Sequence, residues 1–330
     1  MTTSARKIHG EKFYIGVDLG GTKISAALVD PQGSILIRQK YPTAETTRPS
    51  DIGRQIENII KEILLEGQVG SGSLYGIGVG IPGIVSPKNN AILVTPNVHL
   101  AGYPLAARLR KSFRTRIVLG NDVNLGTAAE QWLGAGKGVQ NIVGIFLGTG
   151  VGGGIIIDGK IYTGAQGAGG ELGHMIIDLH SPLSSAGDFG TLEALASRRA
   201  IEGRIREALR RKKKTIIREL AGNKPKVIKS RMICKALQKK DPVVTGIIDD
   251  ACHVLGKACI SLRHIFNPEM IIFGGGLIEA CGEFILPKVR KISEKDPFLA
   301  GIDHCKIVPS VLGDDAVIYG AVALVKQLRN

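Results

Sequence analysis

The sequence is poor in the residues from which base-stacking surfaces, disulfide scaffolds and membrane spans are built. One Trp, six Tyr and eight Phe in 330 residues leave little material for the aromatic platforms on which single-stranded nucleic acids stack. The five cysteines, Cys234, Cys252, Cys259, Cys281 and Cys305, are odd in number and form no C-x-x-C pair. They sit among helical or apolar residues, as expected for the reduced thiols of a cytoplasmic protein and not for a disulfide framework. The most apolar run, Ile142 to Ile157, is broken by six glycines, so no segment is expected to span a membrane. The opening residues, MTTSARKIHGEKF, lack the apolar core of a signal peptide. Although glycine is abundant, with 44 residues, it follows no three-residue period, and collagen is excluded.

Negative charge is scarce as well. Lys and Arg number 43 against 29 Asp and Glu, for a formal charge of +14. Such a balance invites a nucleic-acid or membrane-surface reading, which requires the charge to be spread over a face. It is concentrated instead: Arg204 to Lys240 holds fifteen basic residues and two acidic ones, Glu207 and Glu219, which leaves the remaining 293 residues a net +1. A run such as Arg210 to Lys214 is most simply a solvated helix face, and neither a membrane nor a nucleic-acid partner is expected.

The elements that are present alternate between strand and helix. From Phe13 the chain reads strand, glycine turn, strand (FYIGVD, LGGT, KISAALVD), then a Pro-Gln-Gly turn and a third strand, SILIRQK. Asp51 to Glu66 follows as a helix, with Ile52, Ile56, Ile59, Ile60, Ile63 and Leu64 on one stripe and Ser50 as N-cap. A strand at Tyr75 to Ile81, a helix opened by Pro104, a strand at Arg116 to Leu119 and a helix to about Leu133 complete the first half. Residues 142 to 157 restart the strand, turn, strand pattern, closed by Asp158-Gly159 before a strand KIYTG. An offset of 128 aligns Leu19-Gly20 with Leu147-Gly148, Gly16 with Gly144 and Asp30 with Asp158, which indicates an internal duplication. Leu192 to Leu209 reads as a helix. Pro242 to Phe266 reads as a long one whose buried side includes Ile247, Leu255, Leu262 and Ile265. The strand MIIF then runs into Gly274, Gly275 and Gly276, and a small-residue helix from Asp314 closes the chain.

Two glycine-rich turns are dense enough for backbone N–H groups to approach phosphate oxygens: Asp18-Leu-Gly20-Gly21-Thr22-Lys23 and Gly148-Thr149-Gly150-Val-Gly152-Gly153-Gly154. Both are followed by β-branched strands and not by helices, which excludes a dinucleotide fold and a P-loop. Two such loops in register, with a third glycine cluster at 274 to 276, favour a nucleotide over simple tight turns. Asp18 would then be a magnesium partner acting through water. Asp122, at the carboxyl end of a strand, is placed to act as general base in phosphoryl transfer, although Asp before Val123-Asn124-Leu125 taken alone reads as a helix cap. Glu171, His174 and Glu193 are groups able to grip sugar hydroxyls, but their spacing decides nothing by itself.

Together these segments resemble the ROK family (repressor, open reading frame, kinase) of sugar kinases, within the actin-like ATPase superfamily, and its bacterial glucokinases in particular. The resemblance runs from Tyr14 to about Val325 through DLGGTK, GIPGIV, TPNV, GND, LGTGVGGGII, GAGGELGH, LEALAS and NPEMIIFGGG. It implies an α/β chain with a duplicated actin-like ATPase (ribonuclease H-like) fold, its two lobes set around a central cleft that closes on the sugar. The expected division is a smaller lobe, 1–120, completed by the C-terminal helix 314–330, and a larger lobe, 121–313. The implied reaction is ATP- and Mg2+-dependent phosphorylation of glucose or a related hexose at the 6-hydroxyl, with Asp122 as general base. Asn97, Asn121, Asp122, Glu171, His174 and Glu193 would hold the sugar. Gly20, Gly21, Thr22, Lys23, Gly148, Thr149, Gly150, Gly152, Gly274, Gly275 and Gly276 would hold ATP, with Asp18 at the magnesium. A homodimer is implied by the family alone.

One departure stands out. Most of the family carries a structural zinc on a His and three Cys. Here the cysteine positions are Ser184, Ala186 and Thr191, which supply no thiolate, so no structural zinc is expected and His174 is left for the sugar. A kinase of N-acylated hexosamines such as N-acetylmannosamine or N-acetylglucosamine, and a glucokinase drawing on polyphosphate, are the alternatives within the class. A family repressor would need a helix-turn-helix ahead of Phe13, where about a dozen residues are too few.

Overall fold

A computed structural model describes residues 12–222, 225, 227–301 and 305–328. The residues ahead of Lys12, Lys224 and Lys226 of the basic segment, and the last two residues of the chain lie outside it. The described residues divide into two compact units. The first comprises residues through Leu133, with Thr163–Gly169 and the residues from Asp314 on; the second comprises Gly134–Tyr162 and Gly170–Gly313.

In the first unit, β1 (Phe13–Leu19), β2 (Lys23–Val29) and β3 (Ile35–Pro42) form an antiparallel meander. After α1 (Pro49–Glu66) come β4 (Leu74–Ile81), a small hairpin of β5 (Ile84–Val85) and β6 (Ile92–Val94), α2 (Leu105–Phe113), β7 (Ile117–Asn121) and α3 (Asp122–Leu133). Strands β4 and β7 join the sheet in parallel, for an order β3-β2-β1-β4-β7. Alternation along β1 sends Phe13, Ile15, Val17 and Leu19 to the face covered by α1 and α2, and Tyr14 to the opposite face. Both faces are therefore buried, which is why the strand reads as an unbroken apolar run. Helix α1 begins with Pro49 in its first turn and Arg48 at the cap position, without a side-chain cap. Proline there replaces the Ser50 cap expected from sequence, because its fixed φ already suits the first helical position.

The second unit repeats the plan. Strands β8 (Ile142–Leu147), β9 (Val151–Ile157) and β10 (Lys160–Ile161) form the meander, shorter at its third strand than KIYTG suggests. A hairpin of β11 (Ser184–Ser185) and β12 (Asp188–Phe189) precedes α4 (Leu192–Ala196) and α5 (Arg198–Arg210). These two helices replace the continuous helix read from 192 to 209. Thr191 caps the first and Ser197 the second, and Ser197 in extended conformation breaks the run between them. Next come α6 (Ile217–Ala221), α7 (Ser230–Gln238), α8 (Pro242–Phe266), β13 (Met270–Gly274), α9 (Gly276–Ser293) and β14 (Lys306–Pro309). The sheet order is β10-β9-β8-β13-β14, with β13 and β14 parallel. One antiparallel meander plus two parallel strands in the same order in both units is the structural counterpart of the 128-residue offset.

Helix α8 keeps its expected bounds, with Asp241 accepting from the Val243 and Val244 N–H groups as its cap. Ile265, expected on the buried side, is 67% exposed; it falls at the edge of the stripe, and Phe266 takes the inward place. The three glycines at 274 to 276 lead from β13 into α9, a helix not expected from the sequence.

The chain returns to the first unit as α10 (Ala316–Gln327), after a single 3-10 turn at Gly313–Asp315. A Cβ on Gly78 of β4 would stand 2.1 Å from the Ala321 carbonyl oxygen, and one on Gly320 would stand 1.8 Å from that of Leu125. Only glycine lets α10 lie this close to the sheet and to α3. This packing, together with the pairing of β7 to β4, carries the first unit on to Leu133 and not only to residue 120, so Asp122 belongs with the first sheet. No described helix is long and apolar enough to cross a membrane.

Candidate active site

In the first unit the turn from Gly20 to Lys23 is closed by the Gly20 N–H donating to the Lys23 carbonyl at 2.8 Å. It is tied to the end of β3, where Thr43 donates its hydroxyl to the Gly20 carbonyl at 2.7 Å and its N–H to the Thr22 carbonyl at 3.0 Å. Asp18 precedes this turn, half-buried on the face that α10 covers. Burial pushes its carboxyl up to about 6; Lys23 and Lys40 oppose the rise and Asp314 adds to it. A carboxylate held short of full ionisation by desolvation gains on meeting a cation, so the residues fit a magnesium partner. Lys23 reaches Asp314 at 3.1 Å, a largely exposed pair.

Asn121 ends β7 and Asp122 opens α3. The Asn121 Oδ1 accepts from the Val123 and Asn124 N–H groups at 2.9 Å each, and its amide donates to the Gly83 carbonyl at 2.9 Å. The helix-capping duty that the sequence offered to Asp122 therefore falls on Asn121, leaving one amide N–H of that residue for a ligand. The Asp122 Oδ1 accepts from Val123 N–H at 2.9 Å, which fixes the carboxylate at the strand end. Asn97 is exposed and lies against the first glycine turn, a Cβ on Gly21 falling 3.4 Å from its own. Asn124, which sequence reasoning passed over as part of a cap motif, is buried with its Oδ1 unpartnered among the described residues.

In the second unit the loop from Gly148 to Gly150 is closed by Gly148 N–H donating to the Gly150 carbonyl at 3.0 Å. The segment from Glu193 to Arg199 grips this loop. Glu193 Oε2 accepts from the Val151 N–H at 2.9 Å. The Arg198 and Arg199 N–H groups donate to the Gly148 and Thr149 carbonyls at 3.2 and 3.4 Å, and the Arg198 guanidinium donates to Thr149 Oγ1 at 3.0 Å. A Cβ on Gly150 would stand 2.0 Å from Glu193 Oε2, so a side chain there would displace the carboxylate. Arg198 is a residue that sequence reasoning missed. Its one signal is the i, i+4 spacing to Glu202, with which it pairs.

Glu171 and His174 stand exposed at either end of the 3-10 turn Leu172–His174. That turn is pinned by buried Leu172, which sits where a Cβ on Gly153 of β9 would fall, at 2.4 Å. Gly274 ends β13, Gly275 takes the cap position and Gly276 opens α9, a helix N-terminus of the kind that favours anionic oxygens. The expected site residues thus form two sets. Asp18, Gly20–Lys23, Asn97, Asn121 and Asp122 belong to the first unit, and Gly148–Gly152, Glu171, His174, Glu193 and Gly274–Gly276 to the second.

The family model for the ROK family matches residues 14–328. The chain belongs to the ROK family. Among ROK relatives, the glucokinase of Thermotoga maritima is 34% identical over 314 residues, which cover 95% of this chain and 97% of the relative. The structure of a ROK family glucokinase from Streptomyces griseus in complex with glucose and AMPPNP is 30% identical, with a TM-score of 0.79 over 96% of this chain and 99% of its own. A ROK hexokinase from Thermus thermophilus matches with a TM-score of 0.81 at 27% identity, over 96% and 98% of the two chains. The fold is the duplicated actin-like ATPase fold of these ROK kinases.

The zinc of other ROK proteins does not fit the residues present. In place of thiolates, Thr191 Oγ1 accepts from the Ala194 N–H at 3.2 Å and shares a hydrogen with Ser185 Oγ at 2.8 Å. The β11–β12 hairpin pairs Ser184 with Phe189 and Ser185 with Asp188, and Gly190 bonds Leu183, Ile177 and Asp178 through its backbone. Backbone pairing and one buried threonine hold the loop that a metal holds elsewhere in the ROK family.

Proposed function

We propose that the protein is a glucokinase, transferring the γ-phosphoryl group of ATP to the 6-hydroxyl of glucose. The observation that carries this reading is the hydrogen bond from the Val151 N–H to Glu193, which joins the sugar signature directly to the second phosphate loop in a chain matched end to end by glucokinases of its family. The Gly20–Lys23 turn, the Gly148–Gly152 loop and the N-terminus of α9 at Gly274–Gly276 hold the nucleotide. Magnesium, held through water by Asp18, would offset charge on the phosphoryl oxygens. Asn97, Asn121, Glu171, His174 and Glu193 hold the hexose hydroxyls, Asn121 through its remaining amide N–H. Asp122 accepts the proton of the 6-hydroxyl as that oxygen bonds to the γ-phosphorus. The bond from the γ-phosphorus to the bridging oxygen breaks, and ADP leaves with the electron pair.

The same reading places the protein in the cytoplasm, where ATP is at hand, supplying glucose 6-phosphate to glycolysis. It also includes a homodimer, supported by the exposed apolar side chains Ile176, Leu179 and Phe189 beside the sugar signature. A coupled assay over a panel of sugars and donors tests the activity. Glucose with ATP should give the highest kcat/KM. Turnover confined to N-acetylmannosamine or N-acetylglucosamine, or a preference for polyphosphate over ATP, would overturn the assignment.

A further inference from the structure

A cavity of about 940 Å3 lies wholly in the second unit and is not accounted for by the reaction. Its volume falls at the upper end of the range of small-molecule sites, about 300–1,000 Å3. Of the second unit's site residues only Glu193 reaches its wall; Glu171, His174 and the Gly148–Gly152 loop do not line it. Apart from Glu193, the groups that would meet a hexose in this unit lie off its wall.

The cavity collects part of the charge that the sequence concentrates between Arg204 and Lys240. Five cations line it, Arg199, Arg204, Arg210, Arg211 and Lys213, against three carboxylates, Glu193, Glu207 and Asp250. The carboxylates do not satisfy the cations evenly. Arg204 pairs with Asp250, Arg210 and Arg211 share Glu207, and Glu193 turns to the Val151 N–H. No ion pair among the described residues engages Arg199 or Lys213. The wall thus keeps an excess of two positive charges, which matches the roughly two negative charges of a phosphomonoester near neutral pH. Ser184 and Ser185 add hydroxyls, while Ala194, Ala200, Ala208 and Ile247 add apolar surface. This combination suits a compact polyhydroxylated ester better than a bare polyanion. A long chain of phosphates would bring more charge than the wall balances and would make no use of the hydroxyls.

We propose that this cavity is a second ligand site, selective for a small sugar phosphomonoester of the same chemical class as the reaction product. Since Glu193 belongs to both the cavity wall and the grip on the second phosphate loop, an occupant bears on that loop through a side chain already in contact with it.

Isothermal titration calorimetry on the whole protein tests the site, with glucose and a non-hydrolysable ATP analogue at saturation so that the catalytic site is filled. Glucose 6-phosphate should still bind once per chain. Lys213→Glu should weaken that binding at least tenfold, as should Arg199→Gln, while Lys213→Glu leaves glucose turnover in the absence of added ester unchanged. Both side chains are exposed, and unchanged melting confirms that the variants fold. The proposal is overturned if no binding survives saturation of the catalytic site, or if neither variant weakens it. It is equally overturned if inorganic phosphate or tripolyphosphate binds as tightly as glucose 6-phosphate, since the site would then not select a sugar ester. These outcomes do not depend on whether glucose is the preferred substrate, which the sugar panel measures separately.

Discussion

Two carboxylates differ in what their surroundings ask of them. Asp122 is oriented by the adjacent Val123 N–H and relieved of capping by Asn121, so its replacement tests chemistry and not folding. Asp122→Asn should lower kcat by about 10²–10⁴-fold, the usual worth of a general base, with an unchanged melting temperature. Near-normal turnover would remove Asp122 from that role. Asp18 is instead held where ionisation is costly. Its folded pKa of about 6 lies above the ordinary aspartate value of 3.8, so between about pH 4 and pH 6 the folded state binds more protons than the unfolded chain. Stability therefore falls as pH rises through that window, and above it the charged carboxylate costs on the order of 3 kcal/mol. Without magnesium, Asp18→Asn should melt higher than the parent at pH 8 and no higher at pH 4. Magnesium nucleotide should bind the parent more tightly as pH rises through 6. A pH-independent difference in melting would refute the assignment.

At the scale of elements, the short stretch from Thr191 to Arg199 does more than continue a helix. Its break at Ser197 turns the N-terminus of α5 toward the second glycine loop, so that two backbone N–H groups and one guanidinium reach Gly148 and Thr149. Arg198→Met should lower kcat/KM for ATP by about tenfold, the order of one charge-assisted hydrogen bond, and leave the KM for glucose nearly unchanged. Gly150→Ala should behave differently. Its Cβ would displace the Glu193 carboxylate, so the KM values of ATP and glucose should rise together. Equal effects of the two variants on the two substrates would show that Glu193 does not link the loops. The break itself was not legible in the sequence, since Leu192 to Leu209 keeps a helical apolar period through Ser197. What ends α4 is a cap hydrogen bond between Ser197 and Ala200, and Ser is also tolerated inside helices.

At the scale of the molecule, the sheets of the two units share one strand order, and that likeness was foreshadowed by four identities at a fixed offset. The loop from Ser181 to Gly190 is where the chain departs from its family. A hairpin and the buried Thr191 hydroxyl hold it, so prolonged dialysis against a strong chelator should leave the melting temperature unchanged. Restoring Mg2+ alone should restore full turnover, and elemental analysis should find no stoichiometric zinc. One zinc per chain would overturn this reading.

The sequence by itself determined most of the elements and named the candidate site residues. Apolar periods placed β1, α1 and α8, because a buried face must recur at the period of its element. The glycine turns at 20–23 and 148–150 could be read as candidate phosphate loops, and Asp18, Asp122 and Glu193 could be named as candidates from their motifs. Tertiary structure alone decided the rest. That Asn121 and not Asp122 caps α3 depends on side-chain rotamers, and that α10 returns to the first sheet depends on contacts some 240 residues apart along the chain. The fifteen basic residues of the Arg204 to Lys240 segment read as one charged run. Packing of α5 against the start of α8 sorts part of that run into paired and unpaired cations around a cavity, because which charges find a carboxylate is set by neighbours in space and not by neighbours in sequence.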